Sequence, residues 1–298
     1  MRDLGKFATK EWLTLKPIGF SLRLLRNKIW LSLYKKARTE HLPLFLDKVR
    51  SLEGKNIALV IAFEQPWALD WQLRMAKRNL VDTTILVFDN SRRDSARLEI
   101  ERVCRSNSAP YLGLPANPTR HVNRSHGMAM TWVYYNVVMA IKPRMFAYLD
   151  HDLIPVAKIS LEQRLAGQPF YGYLRVNPWA WNLWAGYCMF DFSMVADLPL
   201  DFLYDFSRKL DTGGLNWDCL YRNYDWKTMH MAESHHVMVR EPVSGAIRKV
   251  QVIDAVWLHI GGISYNTNFD PKAQFFRNLA SGLEQGASMP AFIIQDGQ

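Results

Sequence analysis

From Asn56 onward the chain alternates between short, continuous apolar runs and longer stretches with helical spacing. Ile57–Phe63 is unbroken and closes on Glu64-Gln65-Pro66, the pattern of a strand buried on both faces. Trp67–Leu80 has helical spacing with one polar face. Thr83–Phe88 is a second β-branched run ending at Asp89-Asn90-Ser91, and Asn90 or Ser91 is placed to cap a helix over about 92–106. Pro110–Leu114 reads as a short third strand, followed by a polar loop over Pro115–His126. A helix beginning at Gly127 then carries Ala129, Trp132, Val133, Val137, Ala140 and Ile141 on one stripe and stops before Pro143. Met145–Leu149 is the fourth strand, closing on Asp150-His151-Asp152.

Strands and helices in this order predict a parallel, helix-covered sheet with right-handed crossovers. Ligands of such sheets bind beyond the carboxyl ends of the strands. The polar clusters Glu64-Gln65, Asp89-Asn90 and Asp150-His151-Asp152 all stand at those ends. After Pro155 the alternation gives way to tryptophan-rich segments, a turn at Asp211-Thr212-Gly213-Gly214 and a strand-like Val250–His259. Residues 156–298 are therefore expected to complete the same domain and shape a second half-site.

Before this body lies an arm of different character. Leu22, Leu25, Ile29 and Leu33 recur at helical spacing in residues 18–38, accompanied by Arg23, Arg26, Lys28, Lys35, Lys36 and Arg38. Residues 1–50 hold twelve Lys/Arg against four Asp/Glu, whereas residues 51–298 hold twenty-five against twenty-four. The net charge of +9 thus belongs almost wholly to the arm, and the neutral body argues against a nucleic-acid-binding domain. A basic helix rich in Leu and Trp suits the surface of an anionic bilayer, while the same residues also suit packing on the body. No run of about 18 apolar residues predicts a transmembrane helix, and no secretory signal pattern opens the chain. Residues 1–55 are expected to form the arm and linker, and 56–298 the body, divided near 155.

Of 298 residues 49% are hydrophobic and 22% charged, which excludes disordered and collagenous classes. Cys104, Cys188 and Cys219 are odd in number and widely spaced, so a reducing, cytoplasmic setting is expected, with the arm resting on the inner membrane face if it engages lipid. Dinucleotide, P-loop, zincin and nucleophile-elbow motifs are all missing. The neighbours His235 and His236 read as structural or exposed rather than as a metal pair.

The remaining chemistry concentrates at Asp150-His151-Asp152. With the period of two of a strand, both carboxylates face one side and His151 the other. Paired oxygen ligands at a strand end suit Mg²⁺ or Mn²⁺, with substrate phosphates completing the shell. A solvated acidic turn is the plainer alternative.

Together, the Ile57–Phe63 strand, Val87-Phe88-Asp89-Asn90-Ser91, the Gly127 helix and Ala147-Tyr148-Leu149-Asp150-His151-Asp152 resemble the nucleotide-sugar glycosyltransferases of the GT-A fold (family-2-like), mainly over residues 56–155. The resemblance implies an α/β, Rossmann-like mixed sheet with helices on both faces. It implies donor contacts around Phe63, Glu64, Asp89, Asn90, Arg124, His126, Asp150 and His151, with Asp89 on the base or ribose. It also implies Mn²⁺ or Mg²⁺ held by Asp152, Asp150 and a later histidine, best matched by His259. Arg120, His121, Arg124 and His126 would add positive charge near a diphosphate. An inverting enzyme needs a carboxylate base, for which Asp211 and then Asp218 are the candidates; the paired-acid form usual in the family is missing here. The expected acceptor is a glycan or a lipid-linked glycan. Of Trp179, Trp181, Trp184, Trp217 and Trp226, at most two are expected to touch substrate. The Asp-x-Asp pair also resembles haloacid-dehalogenase phosphohydrolases, but Ile154 stands where those enzymes carry Thr or Val. A non-catalytic, membrane-peripheral binding protein on the same fold is a further alternative.

Overall fold

In a computed structural model, residues 1–263 and 270–294 are described. Among the described residues ten α-helices run in chain order: α1 Thr9–Leu13, α2 Lys16–Lys36, α3 Leu42–Val49, α4 Pro66–Asn79, α5 Asp94–Ser106, α6 Val122–Val133, α7 Met139–Ile141, α8 Leu161–Leu165, α9 Phe192–Val195 and α10 Asp270–Glu284. The strands are β1 Asn56–Ala62, β2 Thr84–Asp89, β3 Tyr111–Gly113, β4 Met145–Asp150, β5 Leu153–Pro155, β6 Phe170–Asn177, β7 Ala180–Asp191, β8 Ser234–Arg240, β9 Ile247–Ile253 and β10 Trp257–His259.

The main sheet has the order β3-β2-β1-β4-β7-β6. Its first four strands are parallel, and β7 and β6 join antiparallel. Every residue of β1 is buried, as its unbroken apolar run requires. Alternate residues divide between two cores. Ile57, Leu59 and Ile61 face a cluster with α2, α3 and α6, whereas Ala58, Val60 and Ala62 face one with α4 and α5. Helices therefore cover both faces of a mixed α/β sheet, as expected.

Register fixes where the site can be. Ile61 pairs with both Phe88 and Asp150, and Ala62 pairs with Asp89, so three strands end at one level. A second sheet, β5-β10-β9-β8, begins immediately after the acidic turn and packs with α10 against the far side of α4. Here the expected single strand Val250–His259 is a hairpin instead. Asp254 and Ala255 adopt left-handed conformations, with φ of 58° and 56°, and break it into β9 and β10. Asp254 is fixed in that turn by the hydroxyls of Tyr171 and Tyr187 and by Arg164.

The basic arm belongs to the same core. Leu31 and Tyr34 of α2 and Leu42, Phe45 and Val49 of α3 are buried against the sheet, with Phe45 edge-on to Phe88 at 5.5 Å. Burial of such side chains stabilises a fold by about 1.5–3 kcal/mol each. The three cysteines are free, and among the described residues no helix is long and apolar enough to cross a membrane. His235 and His236 are exposed on β8.

Candidate metal and donor site

Strand β4 ends at Asp150, and the chain turns at His151-Asp152 before β5 begins. The two carboxylates converge as expected, but through this turn rather than through strand alternation. Gln72 of α4 fastens the turn, its amide donating to the carbonyls of Asp150 at 2.7 Å and Leu153 at 2.9 Å. Pairing of β10 with β5 sets His259 opposite Leu153. Asp150, Asp152 and His259 each then present a ligand atom within 4.8 Å of the others.

The orientation of these groups is determined by their neighbours. Asp152 is buried, and its Oδ2 accepts from the Gly261 amide at 3.0 Å. The side-chain amide of Gln251 donates to Ser234 Oγ at 2.8 Å, which leaves its oxygen to accept from His259 Nδ1 at 2.6 Å. This bond assigns a proton to His259 Nδ1 and turns Nε2 toward Asp152 Oδ1, 3.8 Å away, where the neutral imidazole would offer a lone pair to a cation. Trp184 packs against the imidazole with ring centroids 4.8 Å apart. Gly186 makes room for both Trp184 and Asp150, since a Cβ there would lie 2.3 Å from the indole and 2.5 Å from Asp150 Oδ2.

The electrostatics favour a cation. Burial, reinforced by the negative charge of Asp152, pushes the Asp150 carboxyl up to about 7. His151 and His259 offset this only in part, and His126, 3.8 Å away, adds nothing, because burial depresses its imidazole to about 4 and keeps it neutral. His151 is buried as well, with no partner for Nε2 among the described residues. Two hard carboxylates, an imidazole lone pair and an uncompensated charge fit Mn²⁺ or Mg²⁺.

Above this cluster opens a cavity of about 370 Å³. Phe63, Asn90, Ser125, His126, His151 and Asp211 line it together with Asp150, Asp152, His259 and Trp184. Arg92 and Arg120 stand exposed at its rim. Asn90 is held by Ser125 Oγ at 3.0 Å. Asp211 accepts from Asn123 Nδ2 at 2.7 Å and from the Thr212 amide at 2.8 Å, next to Gly213 with φ of 85°.

Several expected site residues lie elsewhere. Asp89 is fully buried below the cavity, its carboxylate accepting from the Ser91 amide and the Tyr111 hydroxyl at 2.8 and 3.1 Å. Glu64, at φ of 59°, accepts from the Arg92 and Arg93 amides and pairs with Arg93, fixing the loop that carries Arg92. That bracing replaces the expected cap, for Asn90 and Ser91 do not cap α5, which starts after Arg93 without a side-chain cap. Helix α6 begins at Val122, five residues before Gly127, with His121 as its N-cap. Asn123 and His126, three residues apart, consequently face the cavity. Arg124, a hundred degrees round, is buried against Trp30 and the Tyr204 hydroxyl instead.

Asp218 is also outside the site. Arg208 and the Met1 amino group engage its carboxylate at 2.7 and 3.1 Å and, against the upward push of burial, hold it below the usual range. Among the five tryptophans only Trp184 lines the cavity; Trp181 packs on Trp217 and Tyr221, and Trp179 lies beside Arg2. Gln72, Arg92, Asn123, Gly186 and Gln251 were not foreseen. Gln72 had a signal, a polar residue within the apolar face of α4 between Leu69 and Leu73.

No family model and no curated protein matches the sequence. Among solved structures the chain is similar to a mannosyltransferase from Pyrobaculum calidifontis in complex with GDP-Man and Mn²⁺, at 12% identity and TM-score 0.37, over 63% of this chain and 57% of that one. It is similar to S. aureus TarS at 10% identity and TM-score 0.34, over 50% and 30% respectively. A third is glucosyl-3-phosphoglycerate synthase from Mycobacterium tuberculosis in complex with Mn²⁺ and uridine-diphosphate-glucose, at 14% identity and TM-score 0.29, over 46% and 48%. The chain spans less than two thirds of the length of each. Likenesses this partial carry no weight for function, which rests on the side chains of the site.

Proposed function

We propose that the protein is a metal-dependent glycosyltransferase that moves a sugar from a nucleotide-sugar donor to a glycan or lipid-linked acceptor. The observation that carries this reading is the convergence of Asp150, Asp152 and His259 within 4.8 Å at the strand ends, below a cavity of about 370 Å³. Asp152 and His259 Nε2, with Asp150 as direct or water-mediated partner, would hold Mn²⁺ or Mg²⁺, which supplies charge neutralisation to a departing diphosphate.

The other residues have separable tasks. Phe63 and Asn90 offer an apolar face and an amide for the nucleoside end of the donor. Arg92 and Arg120 at the rim bring positive charge to phosphate oxygens. Trp184 presents an indole face for a sugar ring, already positioned by His259 and Gly186. Asp211 is the acceptor base if transfer inverts the anomeric centre; Asn123 orients its carboxylate toward the shared cavity.

The test is a thermal-shift panel of nucleoside diphosphates and nucleotide sugars, each with and without Mn²⁺, followed by assay of nucleoside diphosphate release. A Mn²⁺-dependent shift that disappears in Asp152→Asn, in a protein that still folds, is expected. Nucleotide binding indifferent to both Mn²⁺ and Asp152 would remove the reading.

A further inference from the structure

Helix α2 carries two apolar faces, and the body uses only one. Leu31 and Tyr34 are buried against the core, with Trp30 packed beside them, and Asn27 bonds to the Tyr204 hydroxyl at 3.3 Å. On the opposite side Ile18, Leu22, Leu25, Ile29 and Leu33 fall within one narrow arc, at the i, i+3, i+4 spacing of a single stripe. Each of these five side chains is 48–66% exposed. Leu13 and Leu15, at the junction of α1 and α2, extend the stripe and are exposed as well. Scattered exposed leucines need no explanation, but five on one stripe of a single helix, continued by two at its start, do.

Charge identifies what covers them. Between Trp12 and Thr39 the chain holds Lys16, Arg23, Arg26, Lys28, Lys35, Lys36 and Arg38, and no Asp or Glu. None of these cations is in an ion pair among the described residues. Arg26 and Lys28 flank the stripe on its two sides, and Lys36 lies at its end. A second copy meeting this face across a twofold axis would oppose cation to cation. An anionic bilayer meets both features at once, taking the leucines into the headgroup boundary and neutralising the flanking bases.

We propose that the outer face of α2 docks the protein in the plane of an anionic membrane surface. The inner face stays on the body, so docking requires no unfolding of the arm. This inference is independent of the chemistry assigned to the cavity, and a failure of either leaves the other standing.

The experiment is co-sedimentation of the full chain with vesicles of phosphatidylcholine alone and vesicles containing phosphatidylglycerol. Binding is expected only to the latter and to fall as salt rises. Leu22→Ser/Leu25→Ser/Ile29→Ser should weaken partitioning by roughly a hundredfold with an unchanged melting temperature, since these side chains are exposed. A second variant, Arg26→Gln/Lys28→Gln, should weaken it by roughly 30-fold, at about 1 kcal/mol per cation. No binding by the parent chain, or undiminished binding by both variants, overturns the proposal. A parent dimer that the triple serine variant turns into a monomer overturns it in favour of a second copy.

Discussion

Replacing Asp150 with asparagine should stabilise the metal-free protein at alkaline pH while removing its response to Mn²⁺. Burial and the neighbouring charge of Asp152 raise the Asp150 carboxyl to about 7, against an ordinary aspartate value of about 3.9. The native state therefore binds this proton more tightly than the unfolded chain does. Stability is full below about pH 4 and is lost progressively as pH rises to about 7. A shift of about three units corresponds to a ceiling of about 4 kcal/mol. Asp150 is 24% exposed, so solvent screening reduces this to about 1–2 kcal/mol. Asparagine has no such charge to bury, and its amide can donate toward Asp152. In chelator, differential scanning fluorimetry should show Asp150→Asn melting a few degrees above the parent at pH 8, with the gap shrinking toward pH 5. Adding Mn²⁺ should raise the parent far more than the variant. A variant that melts at or below the parent at pH 8, or a gap independent of pH, would refute the reasoning.

Other perturbations separate the parts of the site. Gly186→Ala forces a methyl to within 2.5 Å of Asp150 Oδ2 and of the Trp184 ring, so it should cost about 1–3 kcal/mol of stability and sharply reduce the Mn²⁺-dependent shift. Gln251→Leu frees His259 Nδ1 and with it the tautomer; Mn²⁺ affinity measured by calorimetry should fall by roughly 10–100-fold while the fold persists. Asp211→Asn should lower turnover by roughly 10²–10⁴-fold if transfer is inverting, with nucleotide binding retained. Asp218→Asn should leave turnover intact and reduce the melting temperature slightly, because only its contacts with Arg208 and the Met1 amino group are lost.

Local pattern revealed most of the sheet. The apolar runs of β1, β2 and β4 are legible because strands buried on both faces need no polar residue, and their polar ends mark where the cover stops. Pattern was less informative where a polar residue could satisfy its bonds in more than one way. Asp89 reads like Asp150 as an acid ending a strand, yet the Ser91 amide and Tyr111 hydroxyl draw it below the cavity. Arg124 read as a loop residue, since the polar run before Gly127 hides the start of α6 five residues earlier. Once that turn is helical, helical phase alone sends Arg124 away from the cavity and brings His126 into it.

The sequence by itself determined the α/β alternation, the basic amphipathic helix and the level at which acidic side chains gather, because buried strands and helices each leave their own hydrophobic period and a polar end. Only the tertiary structure decided which of those side chains meet. Antiparallel pairing of β10 with β5 delivers His259 to Asp152, and Gln251 on β9 sets its tautomer. The missing side chain of Gly186 leaves room for Trp184 and Asp150 to close on the same spot. Those contacts join residues far apart in the chain, and their geometry depends on strand register and side-chain packing, which no local period encodes.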